Sequence, residues 1–465
     1  MKNQEQFNRF LSRHPHSHKF FFERPHISRR DLFQWLGAGV TGAALANPAR
    51  ATEVVSTAGV QPINKAENVI FILCSGAMSH VDTFDFKMTP DTPAGLVKAE
   101  VINGLAWPSG LMPKLGQSLG DLAIVRSVRS WALQHNLAQT WAQIGRNPTA
   151  ALGDIAPNTG SIVAIEKQKE RLASHVFPIF LGLNAGDMIG SGYLSSQYAP
   201  LKIAPSTAGL PDTNNADGQT RFENKYALMK ALDAPLRAPS VDNVAFSDFG
   251  AFYESGKAMM FNPAVNDAFR FTAEESALYG STGFGNACLI AQKVLRAGGG
   301  TRYIQIHFGG WDHHQDIYDT TANNRLPALT KQLDDGLSRM LADLKASGVL
   351  DKTLIVMMSE FGRTVGPITS QDGRDHFLQQ FAVFAGAGIK GGRALGSTNA
   401  DGSATATHAW TQDRDVRPED IEATIYSALG IDWTTIRYDD PFGRGFEYVP
   451  FAKDGLYAPL HELWA

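Results

Sequence analysis

This chain predicts an α/β protein with a mostly parallel central sheet flanked by helices, on three observations. Apolar runs of strand length recur along it, several end directly in glycine-punctuated turns, and a long amphipathic helix separates two of them. The first run, "NVIFILC" at 68–74, is continuously apolar, as a strand covered on both faces must be, and it ends in Ser-Gly. Five more runs follow: "LAIVRSV" (122–128), "VFPIFLGL" (176–183), "RYIQIHF" (302–308), "TLIVMMS" (353–359) and "FAVFAGAG" (381–388). Between the runs ending at Phe308 and Ser359, residues 326–347 place Leu329, Leu333, Leu337, Met340, Leu341 and Leu344 at three- and four-residue spacing, with Gly348 as a C-cap. Strand, helix, strand in that order is a right-handed crossover. It puts the turns after Phe308 and Ser359 on one edge of the sheet.

Residues 185–300 read differently. They open with the loop "APSTAGLPDTNNADGQ" and continue into helical stretches such as "ALYGSTGFGNACLIAQKVLRAG", which we read as a lid or substrate-binding region inserted in the main domain. A second loop, "ALGSTNADGSATATH", precedes a helix, "RPEDIEATIYSALGI", whose Pro418 falls in the first turn. No internal repeat is visible.

Ahead of the α/β domain, Ser28-Arg29-Arg30-Asp31-Leu32-Phe33 is a twin-arginine pattern. A mildly apolar run from Trp35 to Ala46 and a small-x-small site at Ala49-Arg50-Ala51 follow it. Residues 1–51 therefore read as a Tat export signal, and 52–465 as the mature chain, periplasmic or secreted. The alternative is an ordinary amphipathic helix beginning "SRRDLFQWL". The apolar run is too short to span a bilayer, and no later segment reaches transmembrane length, so the mature chain is expected to lack a transmembrane segment. Tat substrates cross folded, often with a cofactor bound, which suits a metal site loaded before export by the Tat translocase.

Charge is nearly balanced, with 42 basic and 46 acidic residues, and no basic stripe interleaved with aromatics occurs, which argues against a nucleic-acid partner. The only cysteines, Cys74 and Cys288, exclude a disulfide scaffold and a Cys-rich zinc site. Cys74 is expected as a buried core thiol, with a disulfide to Cys288 as the alternative.

The chemistry concentrates on the turns. "HFGGWDHHQD" (307–316) offers Asp312 and His314 two residues apart, so that in extended backbone both face one way while His313 faces the other. One carboxylate and one imidazole can chelate a divalent ion, although the same triplet also suits a surface loop. Glu360 emerges from an apolar run into "EFGRT" with Arg363 three residues on, either entering a cleft or forming a salt bridge within the turn. Asp375 and His376 form another acidic and imidazole pair in a glycine-led loop, again functional or solvated. Past the first strand, Ser79, Asp82 and Thr83 supply an aspartate beside a hydroxyl, as a metal-activated nucleophile requires; they would equally cap a following helix. Together these turns suggest a metal-assisted hydrolase.

"GAMSHVDTFDFK", "RSVRSWALQHN", "GGWDHHQD", "LDDGLSRMLADLKASGVLDKTLIVMMSEFGRT", "GRDHF" and "DIEATIYSALGID" resemble, in this order, the signatures of a secreted, Tat-exported family called domain of unknown function 1501. The resemblance implies an alkaline-phosphatase-like fold, shared with sulfatases and phosphodiester hydrolases. It implies one or two metals, with Asp312 and His314 resembling the first ligand pair, Glu360 the next acidic ligand and His376 the last His. Phe361 stands where two-zinc members carry another His. Arg363 would then give fixed charge to a phosphate or sulfate oxygen. Neither cysteine sits in the C/S-x-P-x-R context of formylglycine sulfatases, which leaves Thr83 or Ser79 as the hydroxyl candidate. His135 matches a recurrent family His and lines the same cleft or sits in the core. The function so implied is an exported hydrolase of phosphate or sulfate esters, small or polymeric, using zinc, calcium or manganese. The alternative is a catalytically degenerate binding or assembly protein on the same fold.

Overall fold

The computed structural model describes residues 54–56, 59–186, 189–211, 213, 217–234 and 253–465, so the export-signal reading of residues 1–51 lies outside the described residues. The principal strands are β1 (Asn68–Leu73), β2 (Leu122–Arg129), β3 (Phe180–Leu183), β4 (Leu201–Ile203), β5 (Tyr303–His307), β6 (Thr353–Met358), β7 (Gln379–Ala385) and β8 (Arg393–Leu395). They form one eight-stranded sheet in the order β8-β2-β7-β6-β1-β5-β3-β4. Only β7 runs against the other strands. The principal helices are α1 (His135–Ile144), α2 (Thr159–Lys167), α3 (Gly283–Ala297), α4 (Leu326–Ala346) and α5 (Pro418–Ala428).

The sheet is apolar on both faces because both faces are covered. Along β1, Ile70 and Ile72 join a core with α3 and α4, whereas Val69, Phe71 and Leu73 join a second core with α2 and α5. Helix α4 is the periodic segment of the sequence, and all six of its expected apolar contacts are buried. It stops at Ser347 because Gly348 turns left-handed at φ 68°. As expected, α4 links two parallel strands, β5 and β6, although these flank β1 on either side and do not pair with each other.

Two strands differ from expectation. In 176–183 only the last four residues pair, since Pro178 has no amide to give a ladder. In 381–388 the strand begins two residues earlier and ends at Ala385, where Gly386 takes φ 74°. Within 185–300, the edge strand β4 belongs to the sheet and α3 buries ten residues in the core, so both ends of the expected insertion are built into the main layers. Cys74 and Cys288 are both free and buried, which settles the alternative in favour of core thiols. No helix among the described residues is long and apolar enough to cross a membrane.

Candidate metal centre

Register places the site. Leu73 pairs with His307 on one side and Met358 on the other, so β1, β5 and β6 end level, and the loops that leave them share one edge. The loop after β1 is drawn against the loop after β5 by Gly76. At φ 101° it approaches so closely that a Cβ would lie 2.7 Å from the Asp312 and Trp311 amide nitrogens. Trp311, fully buried, anchors the second loop. His313 turns inward with Nε2 3.1 Å from the Asn324 carbonyl, which leaves Asp312 and His314 facing outward as the alternation requires. After β6, Gly362–Arg363 pairs antiparallel with His376–Phe377, setting Arg363 opposite His376. The fourth contributor is the first residue of α1, His135, capped by the Gln134 side chain.

One donor atom from each of His135, Asp312, His314 and His376 lies within 4.8 Å of the others. Asp312 Oδ1 is 3.1 Å from His314 Nε2, 3.5 Å from His135 Nε2 and 4.0 Å from His376 Nε2. His314 Nε2 and His376 Nε2 are 3.0 Å apart. A tetrahedral ion with bonds of about 2.0–2.1 Å separates its ligand atoms by ~3.3 Å, near the middle of this range.

The other ring nitrogens show why the rings point inward. His135 Nδ1 lies 2.8 Å from Glu360 Oε1, His314 Nδ1 2.9 Å from Asp375 Oδ1, and His376 Nδ1 2.7 Å from the Leu133 carbonyl. Each ring thus donates through Nδ1 to an acceptor and turns the Nε2 lone pair to the common point, the arrangement that fixes a metal-binding imidazole. His135 Nε2 is buried and has no hydrogen-bond partner. An orphaned acceptor aimed at a carboxylate oxygen and two further imidazoles suits a cation, so these residues fit a divalent ion.

The electrostatics agree. Burial pushes the Glu360 carboxyl up, but hydrogen bonds from His135, Gln139 and the Gly76 amide outweigh it and hold the group below its usual range. Burial likewise opposes ionisation of Asp312, and Arg363 with His135 and His314 reverses the balance. His135 is raised, chiefly by its hydrogen bond to Glu360, which makes its Nε2 a stronger donor. Burial lowers His376, as does the charge of Arg363.

Of the residues expected from the sequence, Asp312, His314 and His376 are brought together. Glu360 and Asp375 stand one step behind, orienting His135 and His314. Arg363 is fully buried and gives its N–H groups to the carbonyls of Ala77 (2.9 Å), Arg374 (3.0 Å) and Gly76 (2.6 Å) and to Asp312. It fixes Asp312: these partners take four of its five N–H groups, and the fifth faces His314 Nε2 at 3.3 Å.

The structure does not bring Asp82, Ser79 and Thr83 into the cluster. Asp82 is buried against Arg374 Nε at 2.8 Å and the Tyr318 hydroxyl at 2.5 Å, the Ser79 hydroxyl donates to Asp82, and the Thr83 hydroxyl donates to the Ser79 carbonyl. Residues 81–85 are a turn with no helix to cap. This group is a clamp between the first and third loops. His135 is the member of the cluster that spacing underweighted; its signal was a His directly after a strand and turn. Phe361 is fully buried against the His135 and His376 rings, with centroids 4.9 and 4.7 Å away, so it packs the imidazoles and cannot ligate.

Solved structures to which this chain is similar include a protein in the alkaline phosphatase superfamily from Vibrio parahaemolyticus (12% identity, covering 86% of this chain and 76% of that one, TM-score 0.37). The PsFucS1 sulfatase from Pseudoalteromonas sp. is another (15%, 80% and 68%, TM-score 0.38), as is the C-terminal periplasmic domain of EcEptC from Escherichia coli in complex with Zn (12%, 82% and 85%, TM-score 0.36). Among curated proteins, none matches. The family described as "Protein of unknown function (DUF1501)" matches residues 66–450, most of the chain, and the chain belongs to that family.

Proposed function

We propose that this chain is an exported, metal-dependent hydrolase of phosphate or sulfate esters, small or polymeric, whose divalent ion is held by Asp312, His314, His376 and His135. The observation that carries this reading is the orientation of the three imidazoles, each tied at Nδ1 and converging at Nε2 on one carboxylate oxygen. Three imidazoles and one carboxylate are a borderline donor set, which favours zinc or manganese over calcium, an ion that prefers six or more oxygens. When bound, such an ion polarises an ester oxygen or makes water more acidic. The protein's part is to hold that position rigid: Arg363 fixes Asp312, Glu360 fixes His135, and Asp375 fixes His314. Asp312, His314 and Asp375 are exposed enough for a substrate on a large molecule to reach them.

A second reading, a binding or assembly protein, is favoured by one observation: Arg363 already supplies a cation to Asp312 and lies 3.3 Å from His314 Nε2. The two readings differ in activity. Zinc-loaded full chain is expected to hydrolyse at least one of a chromogenic phosphate monoester, phosphate diester or sulfate ester, with the rate lost on chelation and restored by zinc. Inactivity of the zinc-loaded protein toward all three selects the binding protein.

A further inference from the structure

We propose that Ser75 and His307 form a nucleophile and base pair for ester cleavage at the rim beside the metal centre. The inference rests on the ester-hydrolase reading and names the hydroxyl that reading requires. Ser75 is the second residue past β1, His307 ends β5, and the pairing of Leu73 with His307 sets them side by side. Ser75 Oγ lies 2.5 Å from His307 Nε2. The Asn184 backbone hydrogen-bonds the same ring and favours its protonation there. With the ring proton on Nδ1, the lone pair on Nε2 faces the serine and the hydroxyl donates to it. A hydroxyl, a base and a group orienting the base are the parts from which an activated serine is built.

Position and space support the assignment. The Ser75 carbonyl accepts from the Trp311 amide, and the next residue, Gly76, binds both Glu360 and Arg363, so the serine is tied into the loops that carry the metal ligands. Gly309 is exposed, and a Cβ there would lie 3.1 Å from Ser75 Oγ and 3.9 Å from His307 Nε2. Glycine at 309 keeps the space over the pair open. Its backbone is not left-handed, so conformation alone does not demand glycine. Burial holds the His307 ring below its ordinary pKa, hence neutral and able to accept a proton. Ser79 and Thr83, by contrast, have their hydroxyls spent within the clamp.

In the step, Ser75 Oγ passes its proton to His307 Nε2 and bonds to the phosphorus or sulfur of the ester as the bond to the leaving oxygen breaks. His307 then returns that proton to the leaving alcohol. Water then gives a proton to His307 and bonds to the phosphorus or sulfur as the bond to Ser75 Oγ breaks; His307 returns that proton to Oγ, and phosphate or sulfate is released.

Diisopropyl fluorophosphate, which phosphorylates activated serines with loss of fluoride, tests the pair on the full chain, with adducts mapped by peptide mass spectrometry. One adduct is expected, on Ser75, and Ser75→Ala removes it. His307→Gln slows its formation roughly 100-fold, the scale of a lost general base. Gly309→Ala also slows it, because the added methyl covers the opening. His314→Ala, which removes a metal ligand, keeps the adduct, so failure of the metal centre and failure of the pair are read separately. An unlabelled Ser75 in protein of unchanged thermal unfolding, or equal labelling of His307→Gln, overturns the proposal.

Discussion

Alanine in place of Asp312 is expected to leave the purified protein unable to retain a stoichiometric divalent ion, with zinc affinity lowered at least ~100-fold. The carboxylate is the single oxygen on which the three Nε2 atoms converge, so its loss removes the only anionic ligand and leaves three neutral donors. Replacing an orienting group costs less: Glu360→Gln keeps the ligand set but loosens His135, an effect of about 10–100-fold. Elemental analysis after dialysis and competition with a chromogenic chelator measure both. Asp312→Ala leaves the buried Arg363 guanidinium without its carboxylate, but the guanidinium keeps the carbonyls of Ala77, Arg374 and Gly76 as acceptors and the vacated position is half open to water, so the cost stays below the ~3–5 kcal/mol of breaking a fully buried ion pair. Asp312→Ala should therefore fold. Equal zinc affinity in Asp312→Ala and the parent protein would remove this residue from the centre.

The second large effect is expected at Gly76. Its left-handed φ of 101° strains any side chain, and the Cβ of alanine would meet the Asp312 and Trp311 amides at 2.7 Å, with backbone atoms that cannot swing aside. Strain and overpacking together predict a loss of ~3–5 kcal/mol for Gly76→Ala, read as a lower urea midpoint. Because the contact is with Asp312 itself, the zinc-induced rise in stability should shrink as well. A midpoint within error of the parent would show that the two loops do not meet in this way.

How far the sequence revealed this molecule depended on how local each signal was. Strands β1, β5 and β6 were legible because burial on both faces leaves an uninterrupted apolar run, and α4 because its buried face repeats at helical spacing. Asp312 and His314 were legible for a related reason, since polar residues soon after such a run fall at the sheet edge, and His376 because an acidic and imidazole pair stands in a glycine-led loop. The division of labour among the acids was not legible. Glu360 reads as a ligand from its place after β6, yet its oxygen faces His135, 225 residues away, and no spacing reveals whether a carboxylate meets an ion or an imidazole. Asp82 was misleading in the same way, because its partner Arg374 is 292 residues distant. Ser75 and His307 were hidden by appearance, one inside an ordinary turn and the other at the end of a strand.

X-ray absorption at the zinc edge of the zinc-loaded full chain tests the centre most directly. One tightly held ion is expected, with imidazole scattering from three rings and an oxygen neighbour at about 2.0–2.1 Å. A shell of oxygen alone, or a protein that takes up no zinc, would contradict this expectation.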